Sequence, residues 1–350
     1  MSKLIKREYK NLSKKVNNGY LPVDYFRKNF FNNKVVGSGE LKKKKIVYED
    51  KDTTIKIDRE LNQKHRDLLS LLFCEKNEKP NKDGSYIILT NVYALAKKMG
   101  YSNPKNCTNR IYNLLENLAK TRVSIVDKNK KTIFNYMLIG KSFYDKVSKD
   151  YKVEIPVETS KYIIYTTCVL MPKEINQKIV NIPDNKSKLK ALISFMLSNK
   201  LLKNGIFFDT ICTKLEIVDR YVKSRFKKLV KENLDLLEEF KISFKDDKFY
   251  LDEQIVDFER AITDKDIKDD NYKKWLKNTF KTYNESDKKL CKYKVNGEFK
   301  DLYIKDFKLH IMVDNILIRF SNDNKVEESI FKNLYEVYEQ TIEWKFIYCK

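Results

Sequence analysis

The densest run of groups able to do chemistry is Asp219-Arg220-Tyr221-Val222-Lys223-Ser224-Arg225-Phe226-Lys227-Lys228-Leu229-Val230-Lys231, with six cations and one acid in thirteen positions. Val222, Phe226, Leu229 and Val230 recur at helical spacing and make one apolar stripe. A helix resting on that stripe turns Arg220, Lys223, Ser224, Lys227 and Lys231 outward, with Arg225 and Lys228 on its flanks. Arginine can offer two donors to guanine O6 and N7, while Lys and Ser can hold phosphates, so the pattern suits a helix that reads duplex DNA. The competing interpretation is an amphipathic helix with a solvated basic face.

Other chemistries find little support. The two histidines, His65 and His310, are far apart, and neither HExxH nor HxH occurs. A DNA-nicking enzyme of the rolling-circle kind needs a His-hydrophobe-His metal site beside a Tyr, which this composition does not supply. The six cysteines (74, 107, 168, 212, 291 and 349) never fall at CxxC spacing, so neither a zinc finger nor a disulfide framework is expected. The eight glycines form no GxxxxGK[ST] and no GxGxxG, and GxSxG is missing. Glu239-Phe240-Lys241 and Glu298-Phe299-Lys300 are acid-x-Lys triplets that a chain with 61 Lys supplies by chance. No metal, cofactor or catalytic residue is expected.

The chain has 350 residues and a formal charge of +22. Such an excess concentrates polyanions at a surface, which makes nucleic acid the leading partner class and an anionic membrane the second. With 42% hydrophobic and 13% aromatic residues it can build real cores. No apolar run reaches the roughly 18–20 residues of a membrane span, and no apolar segment follows the charged start, so the expectation is a cytoplasmic protein.

The elements that must position the basic helix come in a repeated order. Residues 1–50 hold 13 Lys/Arg against 5 Asp/Glu and include Gly37-Ser38-Gly39 and Lys42-Lys43-Lys44-Lys45, which reads as a flexible basic arm with one short helix near 22–31. A strand at 55–57 and a helix over 62–76 follow, then a strand at 86–89. A helix capped by Thr90 ends at Gly100, and a second, opened by Pro104, runs to 120. A hairpin over 123–137 has Lys128, Lys130 and Lys131 at its tip, and a third strand covers 151–156. The second helix turns Lys105, Asn106, Thr108, Asn109, Arg110 and Asn113 outward, polar positions that could read bases but also suit a plain surface, while the hairpin-tip lysines are better phosphate candidates than base readers.

The order then recurs: a helix over 186–202, a strand at 206–208, a helix capped by Asp209, the basic helix over 220–240, and a hairpin over 241–251 that carries Lys245. Helix-turn-helix followed by a hairpin is the order of a winged helix. The fold expected is helix-rich α+β: a winged-helix domain over 51–165, a second over 166–255, a charged linker over 256–271, and a small α+β module over 272–350. Within that module the pattern gives a helix at 272–283, strands at 291–295, 302–304, 308–313 and 315–320, and a helix at 326–338.

This layout resembles the iteron-binding plasmid replication initiators of bacteria. The resemblance is carried by Leu-Asn-Gln-Lys-His-Arg-Asp-Leu-Leu at 61–69, by 89–125 with Leu-Ala-Lys-Lys-Met-Gly at 95–100, and by 188–251 with Val-Lys-Ser-Arg-Phe-Lys-Lys-Leu at 222–229. It spans roughly residues 50–255. It implies a non-enzymatic protein that binds direct repeats in origin duplex DNA, promotes opening of the origin, recruits a host initiator and replicative helicase, and exchanges between monomer and dimer. By position it makes Arg220, Lys223, Ser224, Arg225 and Lys227 the repeat readers, and gives the first domain phosphate contacts. A winged-helix transcription regulator is the alternative.

Overall fold

Two helix-turn-helix runs, each opened by a buried helix, are joined in the structure through that pair of opening helices. In this computed structural model, residues 4, 6–32, 45–129, 131–145, 151–201, 204–284, 289–295, 298–305, 308–313, 316–319, 323, 325–332 and 348–349 are described. The chain divides into two compact units, Met1–Ile262 and Thr263–Lys350. The expected boundary at 165/166 therefore does not separate two units; both repeats lie in the first.

The N-terminal segment corrects the expectation of a flexible arm. Helix α1 (Lys6–Asn18) buries Leu12 and Val16, and strand β1 (Leu21–Pro22) and the short helix α2 (Asp24–Arg27) follow. Tyr25 packs edge-on to Phe30 at 5.3 Å and stacks with Tyr162 at 6.1 Å. These aromatics show no periodicity because they fill a junction rather than one face of a long element. After β2 (Phe31–Asn32), residues 33–44, with Gly37 and three of the four consecutive lysines, lie outside the described residues.

Strands β3 (Lys45–Glu49), β4 (Thr53–Ile57) and β5 (Leu61–Asn62) lead to α3 (Gln63–Phe73), then to β6 (Lys76–Asn77) and β7 (Tyr86–Thr90). Helix α4 (Val92–Lys98) is capped by Asn91, whose side chain accepts the Ala94 amide at 3.0 Å; Thr90 ends the strand instead. Gly100, at φ +76°, closes α4 in a left-handed turn that suits glycine. Pro104 opens one 3-10 turn, and α5 (Thr108–Lys120) follows.

Next come β8 (Arg122–Asp127), β9 (Thr132–Met137), β10 (Ser142–Tyr144) and β11 (Tyr151–Ile155). The hairpin β8–β9 does not join β7. It completes a sheet of order β3-β4-β8-β9, while β7 lies in the sheet β10-β11-β7-β6. The reason is apolar pairing: Ile55 faces Ile125 and Ile57 faces Val123 across β4 and β8.

Helix α6 (Val157–Tyr165), strand β12 (Cys168–Leu170), α7 (Lys173–Asn181) and α8 (Ser187–Leu197) connect the repeats. The second repeat is compact: β13 (Ile206–Phe207), α9 (Phe208–Lys214), α10 (Arg220–Lys231), α11 (Leu234–Glu238), β14 (Ile242–Lys245) and β15 (Lys248–Leu251), with sheet order β13-β15-β14. The helix expected over 220–240 is broken after Lys231. Asn233 leaves helical geometry, donates to the Leu229 carbonyl at 2.7 Å and accepts from Lys186 Nζ at 2.6 Å. Asp209 is not a cap; it lies in the first turn of α9.

Strand β16 (Asp257–Glu259) pairs with β12 and ends the first unit, so the expected linker at 256–271 is structured. In the second unit α12 (Asp264–Asn284) packs on a sheet of order β20-β19-β18-β17-β21, with β17 (Lys289–Val295), β18 (Glu298–Lys305), β19 (Lys308–Val313), β20 (Ile316–Arg319) and β21 (Tyr348–Cys349). Residues 325–332 are helical; 333–338 of the expected last helix lie outside the described residues. No helix among the described residues is long and apolar enough to cross a membrane.

Candidate nucleic-acid interface

Four phenylalanines hold α10 in place. Phe226 is buried and stacks on Phe208 of α9 at 5.6 Å, Phe208 lies 6.3 Å from Phe249 of β15, and Phe249 lies 4.5 Å from Phe244 of β14. Helix, helix and hairpin therefore share one aromatic core, and the far side of α10 must face solvent.

The turn before α10 is as closely determined. Glu216 takes a left-handed conformation at φ 54°, the place where a helix-turn-helix turn usually has Gly, and Lys45 Nζ holds its carboxylate at 2.6 Å. Ile217 is buried, with its amide bonded to the Cys212 carbonyl at 2.8 Å. Asp219 caps α10 by accepting the Val222 amide at 2.8 Å. Between those two anchors Val218 is left 79% exposed.

The outward face of α10 differs from the one expected. Its exposed residues are Arg220, Tyr221, Ser224, Arg225, Lys228 and Lys231. Lys223 and Lys227 are half-buried at the edge of the apolar stripe: Lys223 Nζ pairs with Asp209 at 2.8 Å and Lys227 Nζ with Asp247 at 2.6 Å. The arc is rotated because burial centres on Phe226 and Val230, while Val222 and Leu229 are only half-buried, which carries Lys223 and Lys227 to the edge of the covered face. Arg225 lies 4.3 Å over the Tyr221 ring and donates to its hydroxyl at 3.0 Å, so part of its donor fork is engaged. Lys228 makes only a long surface pair with Glu232 at 3.7 Å. Among the described residues Arg220 and Lys231 have no ion pair.

The hairpin that follows turns at Asp246 and Asp247, with φ 49° and 56°, as a two-residue turn with left-handed geometry at both positions. Lys245 is exposed beside it, and Lys248 Nζ sits 4.4 Å over the exposed Phe207 ring. Two acids at the tip offset the lysines beside them.

The first repeat gathers less. Lys105 is exposed in the 3-10 turn before α5, Asn109 and Arg110 are exposed in the first turn of α5, and Arg110 lies 5.9 Å from the Tyr101 ring. Lys128 and Lys131 are exposed at the tip of β8–β9, but Lys128 Nζ is tied to Glu49 at 2.9 Å and to the Asp50 carbonyl at 2.8 Å. Lys130 lies outside the described residues. Among the described residues, no three His, Cys, Asp or Glu are grouped as a metal site would need.

Sequence reasoning missed Val218 and Tyr221, the two most exposed large hydrophobic side chains of the described residues. The available signal was position: both lie off the apolar stripe of the helix they adjoin.

No protein-family model matches the chain, and no curated protein matches it. A solved structure, the selenomethionine derivative of domains 2 and 3 of RctB, is similar over 85% of this chain and 95% of its own, with 10% identity and a TM-score of 0.37. Likeness at that level carries no argument about function.

Proposed function

We propose that the protein is a non-enzymatic, sequence-specific duplex-DNA-binding protein of the replication-initiator kind, which binds direct repeats at an origin through α10. The observation that carries the DNA-binding part is the outward face of α10, where Arg220, Ser224, Arg225, Lys228 and Lys231 stand on a helix fixed by an aromatic core. A helix fits the major groove, and cations on its rim meet phosphate. The second repeat supports a winged-helix reading, since helix, strand, two helices and a hairpin close into a sheet of order β13-β15-β14. The net charge of +22 agrees in sign. The replication part rests on the resemblance of residues 50–255 to the iteron-binding initiators. Opening of the origin, recruitment of a host initiator and helicase, and a monomer–dimer equilibrium belong to the same reading.

The test is selection of random duplex by the full chain at about 150 mM salt, where purely electrostatic binding is weakened. An enriched motif found as phased tandem copies beside an AT-rich segment of the parent replicon supports an initiator. A single palindrome supports a transcription regulator instead. No enrichment overturns sequence-specific recognition.

A further inference from the structure

The N-terminal end of α10 combines features that a phosphate-binding face does not need. Val218 is 79% exposed and Tyr221 is 64% exposed, one residue before and two residues after the capping Asp219. Neither is exposed through slack in the chain. Val218 is pinned between buried Ile217 and the cap, and Tyr221 lies beneath the Arg225 guanidinium. A valine this exposed gains little for the folded chain, and a polar residue there would cost little.

The surroundings specify the occupant. The apolar pair is bordered by Arg220, Ser224, Arg225 and Lys228, and the two acids beside Val218 are engaged, Asp219 with the Val222 amide and Glu216 with Lys45, so the occupant this border favours is anionic at its rim and apolar at its centre. The major groove over a thymine offers this: phosphates on both sides and a 5-methyl group at the floor. A protein partner would need an acidic ring around an apolar knob, but a groove of duplex DNA supplies it at every A·T pair.

We propose that Val218 and Tyr221 read thymine methyl groups in the major groove, making them specificity-determining residues of the α10 interface. The proposal rests on the duplex-binding reading above. Arg225, held on the Tyr221 ring with one donor committed to its hydroxyl, then serves the adjacent phosphate, and Arg220, exposed and without an ion pair among the described residues, is the arginine offered to guanine.

The experiment is a binding titration of the full chain against its selected duplex, with each thymine replaced in turn by deoxyuridine, which removes only the methyl. The expected result is a loss of about fourfold at one or two thymines, the equivalent of the roughly 0.8 kcal/mol of a buried methylene. V218A should abolish the loss at one of those positions and leave the other, while Y221F, which keeps the ring, should leave both. Both side chains are exposed, so neither variant threatens the fold. Affinity unchanged by uracil at every position overturns methyl readout and leaves duplex recognition standing. A chain that selects no sequence overturns both, and losses unaltered by V218A and by Y221A, which removes the ring, overturn the assignment of methyl readout to these two side chains.

Discussion

Lys190 Nζ lies 2.6 Å from Asp67 Oδ2, and Arg66 Nη2 lies 2.7 Å from the other oxygen of the same carboxylate. All three side chains are buried. Asp67 and Arg66 belong to α3 and Lys190 to α8, so one carboxylate joins the opening helices of the two repeats. Lys190 also donates to the Val180 carbonyl at 2.9 Å, and Arg66 to the Ser194 hydroxyl. Burial holds the Lys190 ammonium below its ordinary pKa despite the attraction of Asp67. Replacing Asp67 by Asn leaves two buried cations without their anion. A loss of about 3–5 kcal/mol in urea unfolding is expected. The double variant Asp67→Asn with Lys190→Met should lose less than the sum of the two singles. Additive losses would show that the pair is not coupled.

Much of this was legible in the sequence where periodicity decides. The stripes of α5 and α10 place Ile111, Leu115, Leu118, Phe226 and Val230 in the core as spacing requires. What could not be read depends on contacts distant along the chain. Nothing near Asp67 announces Lys190, 123 positions later. The hairpin β8–β9 is a correct local reading with an unexpected neighbour, because strand pairing is decided by which apolar edge arrives beside it. On α10 the basic residues were legible as a set, but Asp209 and Asp247 came from other elements to claim Lys223 and Lys227. Electrostatic partners on separate elements leave no trace in the periodicity of the helix they neutralise.

His65 gives the first unit an acid sensitivity. Its Nδ1 accepts the Asn62 backbone amide at 3.2 Å, closing the capping box of α3, and lies 2.8 Å from Asn62 Oδ1, while its Nε2 lies 3.5 Å from Asn117 Nδ2. Burial lowers its pKa from 6.5 to about 4. The unfolded chain therefore takes up this proton first as pH falls. The contribution is intact above about pH 6.5, shrinks between 6.5 and 4, and levels off below. At pH 5 the loss should be about 2 kcal/mol relative to pH 7.5, using roughly 1.4 kcal/mol per pH unit. Denaturant unfolding of wild type and His65→Gln at the two values isolates it. Equal pH dependence in both chains would remove His65 from the account.

Lys15 acts as an internal cap. Its ammonium is buried and donates to the carbonyls of Ile163 at 2.7 Å, Thr166 at 2.9 Å and Ile164 at 3.2 Å, at the C-terminal end of α6. A cation there also meets the negative end of the helix dipole. Lys15→Met should cost roughly 1–3 kcal/mol by leaving buried carbonyls unpaired. Cys168 reports the same end of the helix: burial pushes its thiol up to about 12, so at pH 8 it should resist alkylation. In Lys15→Met, labelling at Cys168, followed by mass spectrometry, should quicken as α6 frays. An unchanged melting temperature and unchanged labelling would deny Lys15 this role.

The two kinds of lysine on α10 should separate in the salt dependence of DNA binding. A cation that neutralises a phosphate on binding contributes about −0.9 to the slope of log K against log salt. Lys231 has no ion pair among the described residues and Arg225 is the arginine set toward phosphate, and both face solvent, so Lys231→Ala and Arg225→Ala should each reduce the slope by about 1 if that residue lies on phosphate. Lys227 is already neutralised by Asp247, and moving it to phosphate would break that pair at 2.6 Å. Lys227→Ala should therefore change the slope by much less than 1. Asp247→Asn works in the opposite direction: it frees Lys227 and removes an acid from the hairpin tip, so affinity for any duplex should rise and the slope should steepen. Affinity measured from 50 to 200 mM salt checks all four variants. Equal slopes throughout would mean that α10 does not face the phosphate backbone, and the cationic surface responsible would have to be sought elsewhere on the chain.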